Sequence, residues 1–119
     1  MKNNPLISKS INFAKNIIRL YEYLKNVKKE ATLSKQLLRS GTSIGANIHE
    51  ANYAVSKPDF IAKMQIALKE CYESEYWLNI LSETDYITDD FKFLIDDCGE
   101  IKRMLVATCT TAKDTAVKE

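Results

Sequence analysis

The sequence contains few of the residues that end helices or build tight turns. Only three of its 119 residues are glycine and two are proline, whereas proteins made of many short strands need such residues at most turns. Hydrophobic residues make up 45% of the chain and charged residues 28%, which is too apolar for a disordered protein. The composition favours a single domain made of a few long α-helices.

Long apolar runs are also absent. No segment approaches the roughly 20 apolar residues that span a bilayer, and the first residues, Met-Lys-Asn-Asn-Pro, lack the apolar core of a signal peptide. Cys71, Cys98 and Cys109 are odd in number, widely spaced and without Cys-x-x-Cys spacing. We therefore expect a cytoplasmic protein whose cysteines are reduced and mostly buried.

Histidine is scarce, which limits the chemistry that a helical protein could perform. Di-iron sites in four-helix bundles need Glu-x-x-His pairs on two helices, but the only histidine is His49, and Ala46 stands three residues before it. The glycine-containing segment 41–45 lacks the Lys-Ser/Thr pair of a phosphate-binding loop. Cys71 and His49 belong to a core face and an outer face of different predicted helices, so they do not form a catalytic pair. The sequence predicts no metal, no cofactor and no enzyme activity.

One stretch has a clear helical pattern despite two glycines. Its apolar and small residues recur in steps of three and four: Leu37, Gly41, Ile44, Ile48, Ala51 and Val55. This spacing places them on one face of a helix that packs against partner helices. Because an interior glycine costs about 1 kcal/mol relative to alanine, we expect both glycines to allow close approach of another backbone. Gly41 should make this contact within the subunit, and Gly45 is a candidate for a contact between subunits.

Similar patterns predict four helices in total, at residues 5–28, 32–55, 58–84 and 89–112. Asn4 and Pro5 can start the first helix, Ser56 and Asp59 the third, and Thr88 the fourth. Short connections make neighbouring helices antiparallel. The predicted fold is all-α, a single up-down-up-down antiparallel four-helix bundle spanning residues 1–119.

Two predicted outer faces carry more apolar or small side chains than a solvated helix needs. Together they comprise Leu38, Gly45 and Tyr53 on the second helix and Ile66, Trp77 and Ile80 on the third. We interpret both faces as packing surfaces, so the chain should be a homo-oligomer. Stacking of Trp77 on a nucleobase is the alternative, but helical spacing favours packing against protein.

Two polar residues are predicted to be buried. Glu75 lies on the core stripe of the third helix, where an apolar residue is expected, and Asn47 lies on the second helix. Because a buried carboxylate without a partner is costly, Glu75 should pair with Arg39, Ser43, Asn47 or Tyr21. A structural polar pair is the preferred interpretation, and a catalytic acid is the alternative.

Charge is distributed unevenly, although the formal net charge is only +1. Residues 1–57 hold ten Lys and Arg against three Asp and Glu, whereas residues 58–119 hold seven against thirteen. One interpretation is a nucleic-acid surface made of Lys15, Arg19, Lys25, Lys28, Lys29, Lys35 and Arg39. The other is that these cations pair, within or between subunits, with acidic residues such as Glu70, Glu73, Asp96 and Asp97.

Three ordered blocks carry a resemblance to a known family. They are residues 37–51 (Leu-Leu-Arg-Ser-Gly-Thr-Ser-Ile-Gly-Ala-Asn-Ile-His-Glu-Ala), residues 56–60 (Ser-Lys-x-Asp-Phe), and residues 67–78 (Ala-Leu-Lys-Glu-x5-Tyr-Trp-Leu). Over nearly the whole chain, the sequence resembles the four-helix-bundle proteins encoded in intervening sequences of bacterial 23S rRNA genes. It is more distantly similar to the accessory bundle protein of diversity-generating retroelements. His49 stands where many members carry Arg or Lys, which lowers the basic charge of that face.

The resemblance implies an up-down four-helix bundle assembled as a ring-like homopentamer, with no established enzyme activity. The retroelement relative is associated with nucleic acid and a reverse transcriptase, so RNA or another nucleic acid is an implied partner besides the chain itself. The expected role is that of a scaffold or nucleic-acid-associated accessory protein. The rival interpretation is an interaction module that binds only protein.

Overall fold

Four α-helices lie side by side in this computed structural model, which describes residues 4–118 and the side chains of residues 4–115. They are α1 (Pro5–Asn26), α2 (Thr32–Asn52), α3 (Lys57–Glu83) and α4 (Phe93–Lys118), with a short 3-10 turn (Asp89–Phe91) before α4. No strand occurs in the part described. The predicted all-α four-helix bundle is therefore confirmed.

Each helix packs against two neighbours. α1 lies between α2 and α4, and α3 also lies between α2 and α4, so α1 and α3 occupy diagonal positions. The bundle is an elongated rod of 52 × 23 × 21 Å. The α1–α2 and α3–α4 connections lie at one end of this rod, and the α2–α3 connection lies at the other. The outward faces of α1 and α3 consequently point to opposite sides of the molecule.

Local sequence signals start two of the helices as predicted. The Asn4 Oδ1 atom accepts a hydrogen bond from the Leu6 N–H at 2.8 Å, which caps α1. The Ser56 hydroxyl accepts a hydrogen bond from the Asp59 N–H at 3.1 Å, and an Asp59 carboxylate oxygen accepts one from the Val55 N–H at 3.3 Å. This reciprocal arrangement satisfies backbone donors at the start of α3.

The fourth helix begins differently from the prediction. The Thr88 side chain makes no capping hydrogen bond, and the chain forms the 3-10 turn first, so α4 starts at Phe93 rather than at residue 89. The Phe91 ring packs against the Tyr23 ring of α1 with centroids 5.3 Å apart. This contact packs the 3-10 turn against α1.

Helix ends also depart from the predicted bounds. α1 ends at Asn26 and α2 at Asn52, whereas α4 continues to Lys118. Val55 was predicted to lie on the core stripe of the second helix, but this was wrong, since its side chain is 93% exposed. The reason is the cap of α3, because Ser56 must adopt an extended backbone (φ −159°, ψ 165°), which requires α2 to end earlier.

The two glycines of α2 both face α1 of the same chain. A Cβ atom added to Gly41 would lie 3.0 Å from the Cγ1 and Cγ2 atoms of Ile17. One added to Gly45 would lie 3.4 Å from the Ser10 hydroxyl oxygen and 3.5 Å from the Ser10 carbonyl oxygen. Gly41 therefore permits close packing within the subunit, as expected. Gly45 packs against α1 too, which corrects its assignment to a contact between subunits.

All three cysteines are free and buried. Cys71 on α3 and Cys98 on α4 face each other with their sulfur atoms 3.8 Å apart, and each lies close to the carbonyl oxygen of the other. The hydrogen bond with Cys71, together with burial, raises the pKa of the Cys98 thiol far above its usual range. Burial also raises the pKa of the Cys109 thiol. All three cysteines therefore act as small core residues.

None of the helices, over the part of the chain that is described, is long and apolar enough to cross a membrane.

Candidate nucleic-acid interface

Six of the seven cations predicted to bind nucleic acid form no ion pair with a carboxylate of residues 4–115. Lys15 and Arg19 are exposed on the outward face of α1, and Arg19 donates a hydrogen bond to the Asn16 side-chain oxygen at 2.7 Å. The other four surround the α1–α2 connection and are called the basic turn: Lys25, Lys28, Lys29 and Lys35. All six are called the basic surface below.

The backbone of the basic turn is shaped by two residues. Lys29 has a left-handed backbone conformation (φ 59°), which reverses the chain, and the Glu30 N–H donates a hydrogen bond to the Leu24 carbonyl at 2.9 Å. The Glu30 carboxylate then accepts hydrogen bonds from the N–H groups of Leu33 at 2.8 Å and Ser34 at 2.9 Å. Its charge is therefore used to cap α2, and Glu30 is only 9% exposed. The one acidic residue inside the turn does not pair with its lysines.

Arg39 does not belong to the basic surface. Its guanidinium donates hydrogen bonds to the carboxylates of Glu70, at 3.1 Å, and Glu73 on α3. The hydrogen bond with Glu73 raises the pKa of Arg39. Burial alone would raise the pKa of Glu73, but hydrogen bonds from Trp77 and Arg39 lower it overall. Arg39 is thus held by the acidic helix, as the alternative interpretation of the cations predicted.

Other ion pairs of the described residues also join neighbouring helices. Lys9 on α1 pairs with Glu100 on α4 at 2.6 Å, and Lys63 on α3 pairs with Glu50 on α2 at 3.2 Å. Asp96 and Asp97, the other acidic residues proposed as partners, form no ion pair with any of the seven cations. Burial and the nearby Glu100 carboxylate raise the pKa of Asp97. Within the subunit, the pairing interpretation therefore accounts for Arg39 alone among the seven.

Glu75 lies at the edge of the core instead of inside it. Its side chain is 30% exposed and pairs with Lys102 on α4 at 2.6 Å, not with any of the four partners expected. This hydrogen bond raises the pKa of Lys102. Asn47 is also only half-buried, and its side-chain NH2 group donates to the Ser43 carbonyl at 2.8 Å. The prediction that Glu75 and Asn47 are buried polar residues was therefore wrong.

The buried polar pair is formed by two serines instead. Ser40 on α2 and Ser74 on α3 are both 0% exposed, and their hydroxyl oxygens lie 2.9 Å apart. This pair was not predicted from the sequence, although Ser40 occurs beside Gly41 within the core spacing of α2. The capping role of Glu30 was not predicted either. The signal for that role is an acidic residue directly before a helix start.

Two exposed apolar faces lie on diagonal helices. The α1 face contains Ile11, 49% exposed, and Ile18, 46% exposed. The α3 face contains Ile66, Tyr72 and Tyr76, which are 43%, 50% and 56% exposed. These two faces point to opposite sides of the rod.

The other predicted packing residues differ in their exposure. Leu38, Trp77 and Ile80 are half-buried, and the first two pack against the core. The Trp77 N–H also donates to a Glu73 carboxylate oxygen at 3.0 Å. Tyr53 lies at the α2–α3 connection and is 71% exposed. Its ring is tilted by 59° against the ring of His49, with the centroids 5.2 Å apart. Of this group, Tyr53 is therefore the residue with a largely free ring.

Two recesses of the described surface lie away from the basic surface. One, of about 70 Å³, lies between α1 and α4 beside the Lys9–Glu100 pair. The second, of about 390 Å³, is an open groove between Phe60 and the C-terminal half of α4. Among the described residues, no group of three or more His, Cys, Asp or Glu side chains could hold a metal ion.

The sequence matches the family model described as 23S rRNA-intervening sequence protein over residues 2–107. No curated protein matches it. A solved structure of a protein with unknown function from the S23 ribosomal protein family of Bacteroides thetaiotaomicron is similar, with 50% sequence identity and a TM-score of 0.84. The alignment covers 87% of this chain and 97% of that one.

Proposed function

The chain belongs to the family of 23S rRNA-intervening sequence proteins, and on that basis we propose that it is a non-enzymatic, homo-oligomeric accessory protein that binds structured RNA in the cytoplasm. The observation that carries the RNA part is the basic surface. Its six cations are available to phosphates, whereas Arg39, Lys9 and Lys63 are held by carboxylates of the same chain. Lys and Arg contacts with phosphates supply most of the affinity of non-specific nucleic-acid binding.

Self-association is supported by the two exposed apolar faces. The α1 face and the α3 face differ in composition and lie on opposite sides of the rod, so they are not one self-complementary patch. Joining unlike faces produces a heterologous, head-to-tail contact, which closes into a ring when the rotation between subunits allows it. A ring would repeat the basic surface around the assembly and add avidity to weak single contacts. We propose a pentamer, the number that the family resemblance implies.

The assembly can be tested by light scattering at micromolar concentration. We expect a mass close to five times the 13.6 kDa of the chain. Ile18→Glu on the α1 face and Ile66→Glu on the α3 face should each reduce this mass, because each places a charge in an apolar contact. Val27→Glu, at an exposed residue outside both faces, is the control and should leave the mass unchanged. A mass of 13.6 kDa for the wild-type protein would contradict self-association.

RNA binding can be tested by reversing the two mid-helix cations. The double variant Lys15→Glu/Arg19→Glu should weaken binding to a structured RNA by at least about tenfold and reduce the log–log salt slope by about two. The melting temperature should not change, since neither side chain pairs with an acid. Because Lys15 lies one helical turn from both Ile11 and Ile18 of the α1 face, light scattering must give the wild-type mass for this variant before lost binding is attributed to lost phosphate contacts. A reduced mass would instead place Lys15 in the subunit contact and count against the RNA proposal. The matched control is Arg103→Glu/Lys113→Glu, which changes the net charge equally at exposed cations of α4, outside the basic surface and both apolar faces. Equal loss in both double variants would show that binding depends on net charge alone.

A module that binds only protein is the second candidate. It is favoured by Arg39 and Lys9, whose pairing with α3 and α4 shows that basic and acidic helices do attract each other in this chain. In that case the Lys15→Glu/Arg19→Glu variant should lose stability or assembly. RNA affinity should then be negligible at about 150 mM salt, where the Debye length is about 8 Å.

A further inference from the structure

Exposed aromatic rings lie away from most of the basic surface. Tyr72 and Tyr76 are on the outward face of α3, diagonal from α1, and Tyr53 is at the end of the rod opposite the basic turn. Phe93 is exposed at the basic-turn end, but it follows the Asp89–Phe91 turn, where the carboxylates of Asp89 and Asp90 would repel a nucleic-acid strand. No exposed ring of the described part therefore stands beside Lys15 or Arg19.

The two tyrosines that do lie near the cations are covered. Tyr21 is half-buried, and the Lys25 ammonium lies over its ring at 5.9 Å from the centroid. Tyr23 is half-buried against the Phe91 ring. Proteins that bind single strands combine a basic groove with open aromatic faces on which successive bases stack. On the basic surface, the two nearest rings are half-buried, and no exposed ring of the described residues stands beside Lys15 or Arg19.

The basic surface offers instead a row of cations along the exposed side of α1, interrupted by the exposed carboxylate of Glu22 between Arg19 and Lys25. Lys15 and Lys25 are about 15 Å apart along the axis of α1, at 1.5 Å per residue, and the basic turn continues the row around the end of the helix. A base-paired helix presents regular, rigid rows of phosphates that such a row can contact without stacking, and double-stranded RNA is recognised mainly by its shape, phosphates and 2′-hydroxyls. A flexible single strand would lose conformational freedom on binding and gain no stacking in return.

We infer that the basic surface binds the phosphate backbone of base-paired RNA and does not read unpaired bases. This inference rests on the proposed function, because it specifies the form of RNA that the same six cations take.

The test compares two RNA probes by fluorescence anisotropy with the full-length protein. One is a hairpin with a stem of about 16 base pairs, the length that double-stranded-RNA domains span, and the other is an unstructured strand with the same number of nucleotides. We expect the hairpin to bind at least about tenfold more tightly and a hairpin with a shuffled stem to bind equally well, because phosphate contacts carry no sequence information. Phe93→Ala removes the exposed ring at the basic-turn end, outside both apolar faces, and should leave hairpin affinity within about twofold, whereas Lys15→Glu/Arg19→Glu should lose it.

The outcomes separate this inference from the function on which it rests. Equal or tighter binding of the unstructured strand, or loss of affinity in the Phe93→Ala variant, would overturn the inference while leaving RNA binding intact. Absence of binding to both probes at low salt would overturn the proposed function and the inference together. If Phe93→Ala alters the melting temperature, Phe93→Tyr keeps a ring and should bind as the wild-type protein does.

Discussion

Replacing Gly41 by leucine should lower the free energy of unfolding by about 3 kcal/mol, the upper end of the usual cost of overpacking a core. A Cβ atom alone would already lie 3.0 Å from two carbon atoms of Ile17, and the remaining leucine atoms need space that the buried α1–α2 contact does not have. Even Gly41→Ala should destabilise the protein, although alanine favours helix by about 1 kcal/mol over glycine. Chemical denaturation at one fixed protein concentration measures the effect and avoids the concentration dependence of oligomer stability.

The other two glycines provide matched controls. A Cβ atom at Gly45 would be in ordinary contact with Ser10, and one at Gly99 would approach only the flexible Arg103 side chain, at 3.4 Å. Gly45→Ala and Gly99→Ala should therefore stabilise the protein by up to about 1 kcal/mol through helix propensity. When Ile17 is also replaced by alanine, the atoms that crowd position 41 are removed, so Gly41→Ala should then destabilise the protein much less. If Gly41→Ala, Gly45→Ala and Gly99→Ala all changed the free energy of unfolding in the same direction, this account of the close contact would be refuted.

Replacing Glu30 by alanine should cost about 2 kcal/mol, the loss expected for a strong helix cap whose acceptor is charged. Its two carboxylate oxygens each accept one hydrogen bond from the first turn of α2, and the residue is nearly buried, so water would not fully replace these bonds. The negative charge also interacts favourably with the positive end of the α2 dipole. Thermal and denaturant unfolding should both report the loss.

Two variants separate capping from simple charge removal. Glu30→Gln keeps one acceptor oxygen and the shape of the side chain, so its cost should lie between zero and that of Glu30→Ala. Glu22→Ala removes an exposed carboxylate that accepts one hydrogen bond from Asn26, and should change stability by less than about 0.5 kcal/mol. A cost for Glu30→Ala no greater than that for Glu22→Ala would mean that the cap contributes little.

The existence of the four helices could be predicted because the signals are local. Periodic apolar residues and the caps at Asn4 and Ser56 depend on neighbours within a few positions, and the structure reproduces them. The end of α2 could not be predicted in this way. Residues up to Val55 continue the periodic pattern, but the extended backbone of Ser56 decides where the helix must stop.

The rotation of each helix about its axis was harder to predict. On α3, the steps Cys71, Glu75, Leu78 and Cys71, Ser74, Leu78 both satisfy the alternation of three and four residues. Only the packing of α2 and α4 selects the second, and it turns Glu75 outward to Lys102. The same reason explains Arg39, because the acids that hold it are on another helix and their distance cannot be read from the chain.

The serine pair between α2 and α3 has a consequence for how these helices slide along each other. Their apolar stripes repeat every turn, so a displacement of α3 by about 5.4 Å, one helical pitch, would bring Leu78 or Glu70 opposite Ser40 and still bury many apolar atoms. Each hydroxyl would then lose the other and keep only a carbonyl of its own helix, that of Leu37 for Ser40 at 3.3 Å and that of Glu70 for Ser74 at 2.9 Å. Losing one of two partners inside an apolar layer carries a penalty. Ser40 and Ser74 thus add little to the stability of the correct register, but they disfavour the bundles that are one turn out of step.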